Sequence, residues 1–338
     1  MNRTPAASTA AERALAEITD RSKNRSVILN ISLLGDKMFE SNRIKDKKYI
    51  HSVNAKGFFD NTYETKLPQT VISDIILKHF ENSKKKPKCL FIGWDGCRAD
   101  AMKYIIKSDD EQVSGKNDTN IYSAIASLKD NGGLYITYVG GDKGCIQETS
   151  TAQGWASALC GKWMKKDWRQ GIEWSLDKDY PTAMKSLALK GFKTSFSAIW
   201  QTHFDSTYIK EIEYAEQNGL SQLFCKFETD TELHSNLKER INSDDDFIMG
   251  IYENPDYNGH GTGFGDENYR YVAGVCNLDR FSYELLCEIK SREAFDSEDW
   301  LVVIASDHGG HLTRHGTQKI QDRTTFLALS KPIGNFIK

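Results

Sequence analysis

The chain has 338 residues, of which 39% are hydrophobic and 27% are charged, and its formal net charge is −3. This length allows one large domain or two smaller ones with a sizeable core. The weak negative charge argues against binding to nucleic acid or to a membrane surface through bulk electrostatics, so an anionic substrate would need local attraction, for example by metal ions.

The seven cysteines form no CxxC pair, which argues against a disulfide framework and against a thiolate zinc site. The N-terminal stretch lacks the apolar region of a signal peptide, and no segment approaches 18 uninterrupted apolar residues. We therefore expect a reducing, cytoplasmic setting without a membrane anchor. The oligomeric state is left open.

Residues 1–86 are predicted to form an N-terminal extension that is partly helical, with a helix over 70–82 that has an apolar face. The polar stretch Ser83–Lys88 is typical of a solvated linker into a first core strand. Residues 87–338 are then expected to form the main α/β domain.

Short continuous apolar runs, typical of strands covered on both faces, recur along this domain. They occupy residues 89–94, 134–139, 194–200, 247–252, 300–305 and 325–329. Helical patterns lie between them, at roughly 99–107, 121–130, 152–160, 181–190, 208–217, 229–241 and 268–292. This alternation predicts an α/β fold with a mostly parallel central sheet and helices on both faces.

Polar side chains follow several of these strands at the point where each strand ends. They are Asp95, then Asp256 and His260, and finally Asp307, His308, His311 and His315. In open α/β sheets, ligands bind beyond the carboxyl ends of the strands. A single strand-terminal Asp is most often a helix N-cap, but this convergence of oxygen and nitrogen donors favours a dinuclear site for cations such as Zn²⁺ or Mn²⁺. Asp256 and His260 are expected to meet around a glycine-containing loop turn.

Three hydroxyl residues, Thr149, Ser150 and Thr151, precede the predicted helix 152–160. Thr151 could simply be the N-cap of that helix. The same position also suits a nucleophile, because a helix N-terminus favours an alkoxide and a phosphoryl group and a neighbouring cation would activate the hydroxyl. Both interpretations stay open on the residues alone.

Residues 163–245 form a candidate substrate-pocket insertion, because they are rich in aromatic side chains that could stack a ring of the leaving group. These aromatic residues are Trp163, Trp168, Trp174, Trp200, Phe204 and Tyr208. Each of them, taken singly, is more typical of a core position.

Four segments, in this order, resemble motifs of the alkaline phosphatase superfamily, on the branch of type I phosphodiesterases, nucleotide pyrophosphatases and sulfatase-like hydrolases. They are FIGWDGCRADAM (91–102), TSTAQGWASALCGKW (149–163), YENPDYNGHGTG (252–263) and SDHGGHLTRHG (306–316). The resemblance implies an alkaline-phosphatase-like fold and a hydrolase that uses two divalent metal ions, Zn²⁺ first and Mn²⁺ as the alternative.

Matched position by position, the motifs imply a ligand set for each ion. Asp95, Asp307 and His308 would hold one ion together with the nucleophile oxygen, and Asp256, His260 and His315 would hold the other. The resemblance implies Thr151 as the nucleophile, with Ser150 as the second choice, and it gives His311 no ligand position.

The chain departs from the family patterns around the nucleophile. Sulfatases need a C/S-x-P-x-R context, which the sequence after Thr151 lacks. Nucleotide pyrophosphatases carry an Asn three residues after the Thr, where this chain has Gly154 beside Gln153, and alkaline phosphatases have an Asp where Ser150 stands. The residues that would contact the substrate are therefore open, with Gln153, Gly154, Lys162 and His203 as candidates.

The function implied by the resemblance is hydrolysis of phosphate esters through a covalent phosphothreonine. A phosphodiesterase or nucleotide pyrophosphatase is the leading hypothesis, acting on a small phosphoester such as a nucleotide. A phosphomonoesterase on the same fold is the alternative, and a nucleotide-binding pseudo-enzyme is a distant one.

Overall fold

The structure, a computed structural model, describes residues 67–105, 123–164, 176, 180–265 and 267–337. Most of the expected N-terminal extension, residues 1–66, lies outside the described residues, as do Trp168 and Trp174. Within the described ranges, none of the helices combines the length and the apolar character needed to span a bilayer.

The described strands are short, as continuous apolar runs predict. They are β1 (Leu67–Pro68), β2 (Lys86–Trp94), β3 (Gly133–Tyr138), β4 (Gly141–Asp142), β5 (Cys145–Ile146), β6 (Thr194–Ala198), β7 (Gln222–Lys226), β8 (Phe247–Tyr252), β9 (Glu298–Ala305) and β10 (Thr324–Leu329).

The α-helices of the described residues alternate with these strands. They are α1 (Val71–Asn82), α2 (Ala124–Asn131), α3 (Thr151–Cys160), α4 (Ala183–Leu189), α5 (Ile209–Asn218), α6 (Asp230–Asn242), α7 (Asn254–Thr262), α8 (Tyr269–Lys290) and α9 (Ile320–Arg323). Shorter turns of other helix types occupy Ala99–Tyr104, His203–Thr207, Phe295–Ser297 and Ile333–Asn335.

The main sheet has eight strands in the order β1-β3-β10-β9-β2-β8-β6-β7. Its central strand β2 pairs in parallel with both β8 and β9, while β10 is antiparallel to β9 and β3. The predicted mostly parallel sheet is therefore confirmed. Because β2, β8 and β9 run the same way, their carboxyl ends meet at one edge, where ligands bind in such sheets.

Helices cover both faces of the sheet, as predicted. Along β2, Phe91 packs into a cluster with α1, α3 and α4, whereas Leu90 and Ile92 pack into a second cluster with α2, α6 and α8. This alternation follows from the period of two in a strand. Burial on both faces explains why these strands read as continuous apolar runs.

Several elements differ from the sequence-based expectation. The strands β1, β4 and β5 and the helix α9 were not predicted, because each has only two to four residues, and the helix expected over 99–107 is a 3₁₀ turn at Ala99–Tyr104. The strand β7 was not predicted, because it is an edge strand whose residues are partly exposed and lack a continuous apolar run. The segment expected to be a loop turn around Asp256 is the helix α7, which begins with Pro255 in its first turn despite its glycines. Proline is favoured there because its missing N–H has no partner in a first turn.

The helix predicted over 70–82 is present as α1 and packs its apolar face, including Ile72 and Ile76, into the same cluster as β2. Residues 163–245 contribute β6 and β7 to the main sheet. The division of the chain at residue 86 and the pocket role of 163–245 stay predictions.

The helix α3 lies close to β2 because Gly93 has no side chain. Trp155 of α3 is fully buried, and a Cβ atom at Gly93 would stand 2.5 Å from its ring. Small residues of this kind set how near a helix can approach a strand. The contact brings the first turn of α3 to the end of β2.

We expect Gly93→Ala to destabilise the protein by about 1–3 kcal/mol, because the added methyl group has no room against Trp155. The midpoint of urea unfolding measures this change. Gly334→Ala is the matched control, since a Cβ atom at Gly334 would meet nothing within 4 Å. Equal midpoints for the two variants would contradict the close packing of α3 on β2.

Candidate active site

Asp95, Asp307 and His308 come together at the carboxyl ends of β2 and β9. His308 Nε2 lies 3.4 Å from Asp95 Oδ1 and 3.3 Å from Asp307 Oδ2. All three side chains are buried, and one donor atom from each lies within 4.8 Å of the others. Neighbouring parallel strands thus place the three donors expected for the first ion in one cluster.

A second group of donors comes from α7 and from the loop after β9. Asp256 and His260 are four residues apart on α7, with His260 Nε2 3.3 Å from Asp256 Oδ2. His315 Nε2 lies 3.2 Å from His260 Nε2 and 3.8 Å from Asp256 Oδ1. A helix brings residues i and i+4 onto one face, so the two ligands meet on a helix and not around a loop turn.

The two groups share one imidazole. The donor atoms of Asp256 and His315 cluster with His308, all within 4.8 Å, so His308 stands between both sets. His260, expected among the ligands of the second ion, lies outside that trio, although it contacts Asp256 and His315.

Backbone carbonyl groups orient all three imidazoles. The Nδ1 atoms of His308, His260 and His315 lie 2.8, 2.9 and 2.9 Å from the carbonyl oxygens of Gly309, Thr313 and Thr149 respectively. Each Nδ1–H can donate to its carbonyl, which leaves the Nε2 lone pair facing the cluster. This is the arrangement that histidine metal ligands adopt.

The carboxylates of this site are buried close enough to one another to shift each other's pKa. Burial raises the pKa of Asp95 well above its usual range, and the nearby Asp307 and Asp256 raise it further. The pKa of Asp307 is raised in the same way, by burial first and then by Asp256. For Asp256, burial also raises the pKa, but its contacts with the neighbouring histidines, His260 first, outweigh this effect and lower its pKa overall.

These features fit divalent cations. Asp307 Oδ2 and Asp256 Oδ1 are buried without a hydrogen-bond partner among the described residues, a costly state for a carboxylate unless a cation binds it. Burial, followed by the neighbouring His315, lowers the pKa of His308 to about 3, so its imidazole stays neutral and able to bind a metal. Asp and His donors without thiolates suit Zn²⁺ or Mn²⁺.

Thr151 stands at the first position of α3, beside the first donor trio. Its Oγ1 lies 3.2 Å from His308 Nε2 and 3.4 Å from Asp95 Oδ1. The N-cap of α3 is Ser150, not Thr151, so the Thr151 hydroxyl is not used for capping. Ser150 also makes no capping bond with its side chain, and its hydroxyl instead donates to Gln153 Oε1.

Two candidate substrate contacts lie in the first turn of α3. Gln153 is almost fully buried and is bound to Ser150, within two residues of Thr151. Gly154 faces the backbone of Asp307, where a Cβ atom would stand 2.5 Å from the carbonyl oxygen of Asp307. There is no room for an Asn at this position, so glycine here serves the close approach of α3 to β9.

The other two candidate contacts are not brought to the cluster. Lys162 follows the C-terminal end of α3, and its ammonium group lies 5.4 Å from the centre of the Tyr180 ring. Because α3 has ten residues, this end is about 15 Å from Thr151. His203 is fully buried among Phe196, Trp200 and Tyr208, and burial lowers its pKa to about 3.

Three side chains that position the site were missed from the sequence. Trp155 donates to Asp95 Oδ2 at 3.1 Å, and Tyr271 donates to the carbonyl of Gly96 at 2.7 Å. Ser306 accepts the N–H of Cys97 and donates to the carbonyl of His308, at 2.9 and 2.8 Å. Ser306 could have been found from its place beside Asp307, whereas Trp155 and Tyr271 are ordinary apolar-face residues in the sequence.

No family model matches this sequence, and no curated protein matches it. Among solved structures, the chain is similar to a 2-O GAG sulfatase (14% identity, 73% of this chain and 65% of that chain, TM-score 0.48). It is similar also to a protein in the alkaline phosphatase superfamily from Vibrio parahaemolyticus (13% identity, 83% and 67%, TM-score 0.45). A third is alkaline phosphatase from the Antarctic bacterium TAB5 (10% identity, 72% and 91%, TM-score 0.42). The chain thus spans just under two thirds of the sulfatase, and these similarities concern the fold.

We expect Asp307→Asn to raise the melting temperature of chelator-treated protein at pH 8. In the folded state the pKa of Asp307 is raised above its ordinary value of 3.8. At pH values above 3.8 the carboxyl group therefore ionises more readily in the unfolded chain, which lowers the free energy of unfolding. This loss of stability grows as the pH rises and levels off above the folded-state pKa. The amide can still accept the Gly96 N–H that Asp307 accepts. A lower melting temperature would contradict the raised pKa.

The same variant should lose much of the melting-temperature increase that added Zn²⁺ gives the unaltered protein. A ligand that binds only the folded state stabilises it in proportion to the logarithm of its binding strength, and the variant lacks one charged donor. An unchanged Zn²⁺ effect would show that Asp307 is not a ligand.

Proposed function

We propose that this protein is a metal-dependent hydrolase of phosphate esters in which Thr151 is the nucleophile. The ions would be held by Asp95, Asp307 and His308 on one side and by Asp256, His315 and His260 on the other, with Zn²⁺ favoured and Mn²⁺ as the alternative. The proposed substrates are small phosphodiesters, such as nucleotide derivatives, and phosphomonoesters are the second choice.

One observation supports this proposal most directly: the Thr151 hydroxyl lies beside two donors of the first trio. Its Oγ1 is 3.2 Å from His308 Nε2 and 3.4 Å from Asp95 Oδ1. A threonine hydroxyl is a weak nucleophile by itself, and a cation bound at this place would stabilise its alkoxide. The hydroxyl also sits at the positive end of α3.

Local charge favours an anionic substrate. Two divalent cations bound among three carboxylates would leave roughly one positive charge, although the whole chain has a net charge of −3. The N–H groups of the first turn of α3 have no partners within the helix and point toward the same place. A phosphoryl group would therefore be attracted to this site and not to the rest of the surface.

The reaction would proceed in two displacements at phosphorus. Thr151 Oγ1 loses its proton to solvent and forms a bond to phosphorus, while the bond from phosphorus to the leaving oxygen breaks and that oxygen gains a proton. A water oxygen then bonds to phosphorus and gives up one proton to solvent, the bond to Oγ1 breaks, and Thr151 takes up a proton. When bound, the ions would stabilise negative charge on the entering and leaving oxygens.

The chain's own residues would hold Thr151 and its neighbours in place during these steps. Trp155 fixes the Asp95 carboxylate, and Gly154 allows the start of α3 to reach the backbone of Asp307. Ser150 is bound to Gln153, which supports Thr151 over Ser150 as the nucleophile.

We expect Thr151→Val to lower kcat at least about 1,000-fold while metal content stays near that of the unaltered protein. Valine keeps the shape and removes only the hydroxyl. Ser150→Ala is the matched control and should retain most of the activity. Full activity in Thr151→Val would overturn the nucleophile assignment, and trapping of a phosphothreonine in the unaltered protein by mass spectrometry would support it.

The substrate class is tested with chelator-stripped protein after addition of Zn²⁺ or Mn²⁺. Bis-p-nitrophenyl phosphate, p-nitrophenyl phosphate and the p-nitrophenyl ester of thymidine monophosphate are compared side by side. We expect metal-dependent cleavage that is faster for the diesters. Faster monoester cleavage would assign a phosphatase, and no cleavage with either metal would leave only the nucleotide-binding alternative.

A further inference from the structure

Asp322 belongs to neither donor trio, but its carboxylate binds the loop after β9, which carries His308 and His315. This aspartate is fully buried in α9. Its Oδ1 lies 2.6 Å from His311 Nδ1, and its Oδ2 accepts from the N–H and the hydroxyl of Thr317 at 3.0 and 2.6 Å. One carboxylate therefore binds both ends of the segment 311–317.

The proton between His311 and Asp322 can be placed on Nδ1. His311 Nε2 is buried and has no hydrogen-bond partner among the described residues. An unsatisfied buried N–H costs more than an unsatisfied acceptor that retains only a lone pair. His311 therefore donates from Nδ1 to Asp322, and it belongs to neither of the two donor trios.

Between the two ends, the segment makes a tight turn that is strained. His311 and Arg314 exchange backbone hydrogen bonds at 2.9 and 3.1 Å, which leaves Leu312 and Thr313 at the tip. Leu312 has φ of 51°, a left-handed conformation that costs a residue with a side chain about 1–2 kcal/mol. Turns that need this conformation favour glycine, so the surrounding bonds must hold Leu312 there.

The tip of this turn orients the second donor group. The carbonyl of Thr313 accepts from His260 Nδ1 at 2.9 Å, and His315 follows within the clamped segment. Both histidines contact Asp256. The position of two of the three donors on this side thus depends on the conformation of residues 311–317.

The first donor group is held by other contacts. Asp307 accepts the N–H of Gly96, and Ser306 binds both the Cys97 N–H and the His308 carbonyl. The N–H of Gly309 also donates to Asp322, but it donates to the backbone carbonyl. A substitution of the Asp322 side chain therefore leaves this bond in place.

We propose that Asp322, acting through His311 and Thr317, is a positioning residue for the second ion and not for the first. The inference rests on the proposed function in one respect, namely that a second ion binds at Asp256, His260 and His315. Partners that orient metal ligands in this way typically contribute about 10- to 100-fold to metal affinity.

The test measures Zn²⁺ binding to the full chain by calorimetric titration after chelator treatment, without any activity assay. We expect Asp322→Ala to weaken the second ion about 10- to 100-fold and to leave the first within about threefold. Asp322→Asn should be intermediate, because the amide oxygen can accept from His311 Nδ1 and the amide NH₂ can donate to the Thr317 hydroxyl, while the bond from the Thr317 N–H is lost. Asp279→Ala is the matched control: Asp279 is also a buried carboxylate that accepts a backbone N–H, from Ile125 at 2.9 Å, and it should retain both ions.

Unchanged binding of both ions in folded Asp322→Ala would overturn the inference, as would equal weakening of both ions. If Asp322→Ala does not fold, His311→Phe replaces it, because phenylalanine keeps the ring and removes only the bond to Asp322. Two ions in the unaltered protein without cleavage of any phosphoester would reject the proposed function and leave this inference standing. Binding of one ion only in the unaltered protein would overturn the inference, even if that protein cleaves phosphoesters.

Discussion

The central physical constraint in this protein is the burial of carboxylates close to one another. Asp95 and Asp307 are almost completely buried, and Asp256 lies near both. An uncompensated buried charge is too costly for a stable fold. Bound cations remove that cost, so the same arrangement that weakens the metal-free protein would create strong binding of divalent ions.

The parallel sheet explains why these groups meet. β2, β8 and β9 are adjacent and run in the same direction, so the residues that follow each strand are collected at one edge. Three imidazoles complete the cluster, each turned by a backbone carbonyl so that Nε2 faces inward. The sheet thus determines where the donor residues meet, and the loops and the helix α7 that carry them determine how each side chain is oriented.

The position of Thr151, the proposed nucleophile, depends on close packing more than on any polar contact. Glycine at positions 93 and 154 lets α3 approach both β2 and β9, because a Cβ atom at either would collide with Trp155 or with Asp307. That approach sets the distance from Thr151 to Asp95 and His308. Small residues at an interface are therefore as important to the proposed chemistry as the charged ones.

Much of this could be predicted from the sequence. Continuous apolar runs identified the core strands, because strands covered on both faces need apolar residues at every position, and the polar residues that follow them are the Asp and His side chains that cluster at the edge of the sheet. The helical context of Asp256 and the edge strand β7 could not be predicted, since α7 contains glycines and β7 is only partly buried. The bond from His311 to Asp322 could not be predicted either, and neither could the contact of Trp155 with Asp95. The first pair is 11 positions apart in the sequence and the second pair is 60 positions apart. The sequence by itself determined which Asp and His residues follow the core strands, because strand patterns and the residues next to them are local properties. Only the tertiary structure decided which donor atoms lie close together, which hydroxyl lies beside them and what holds each histidine, because these depend on distances between segments that are remote in the chain.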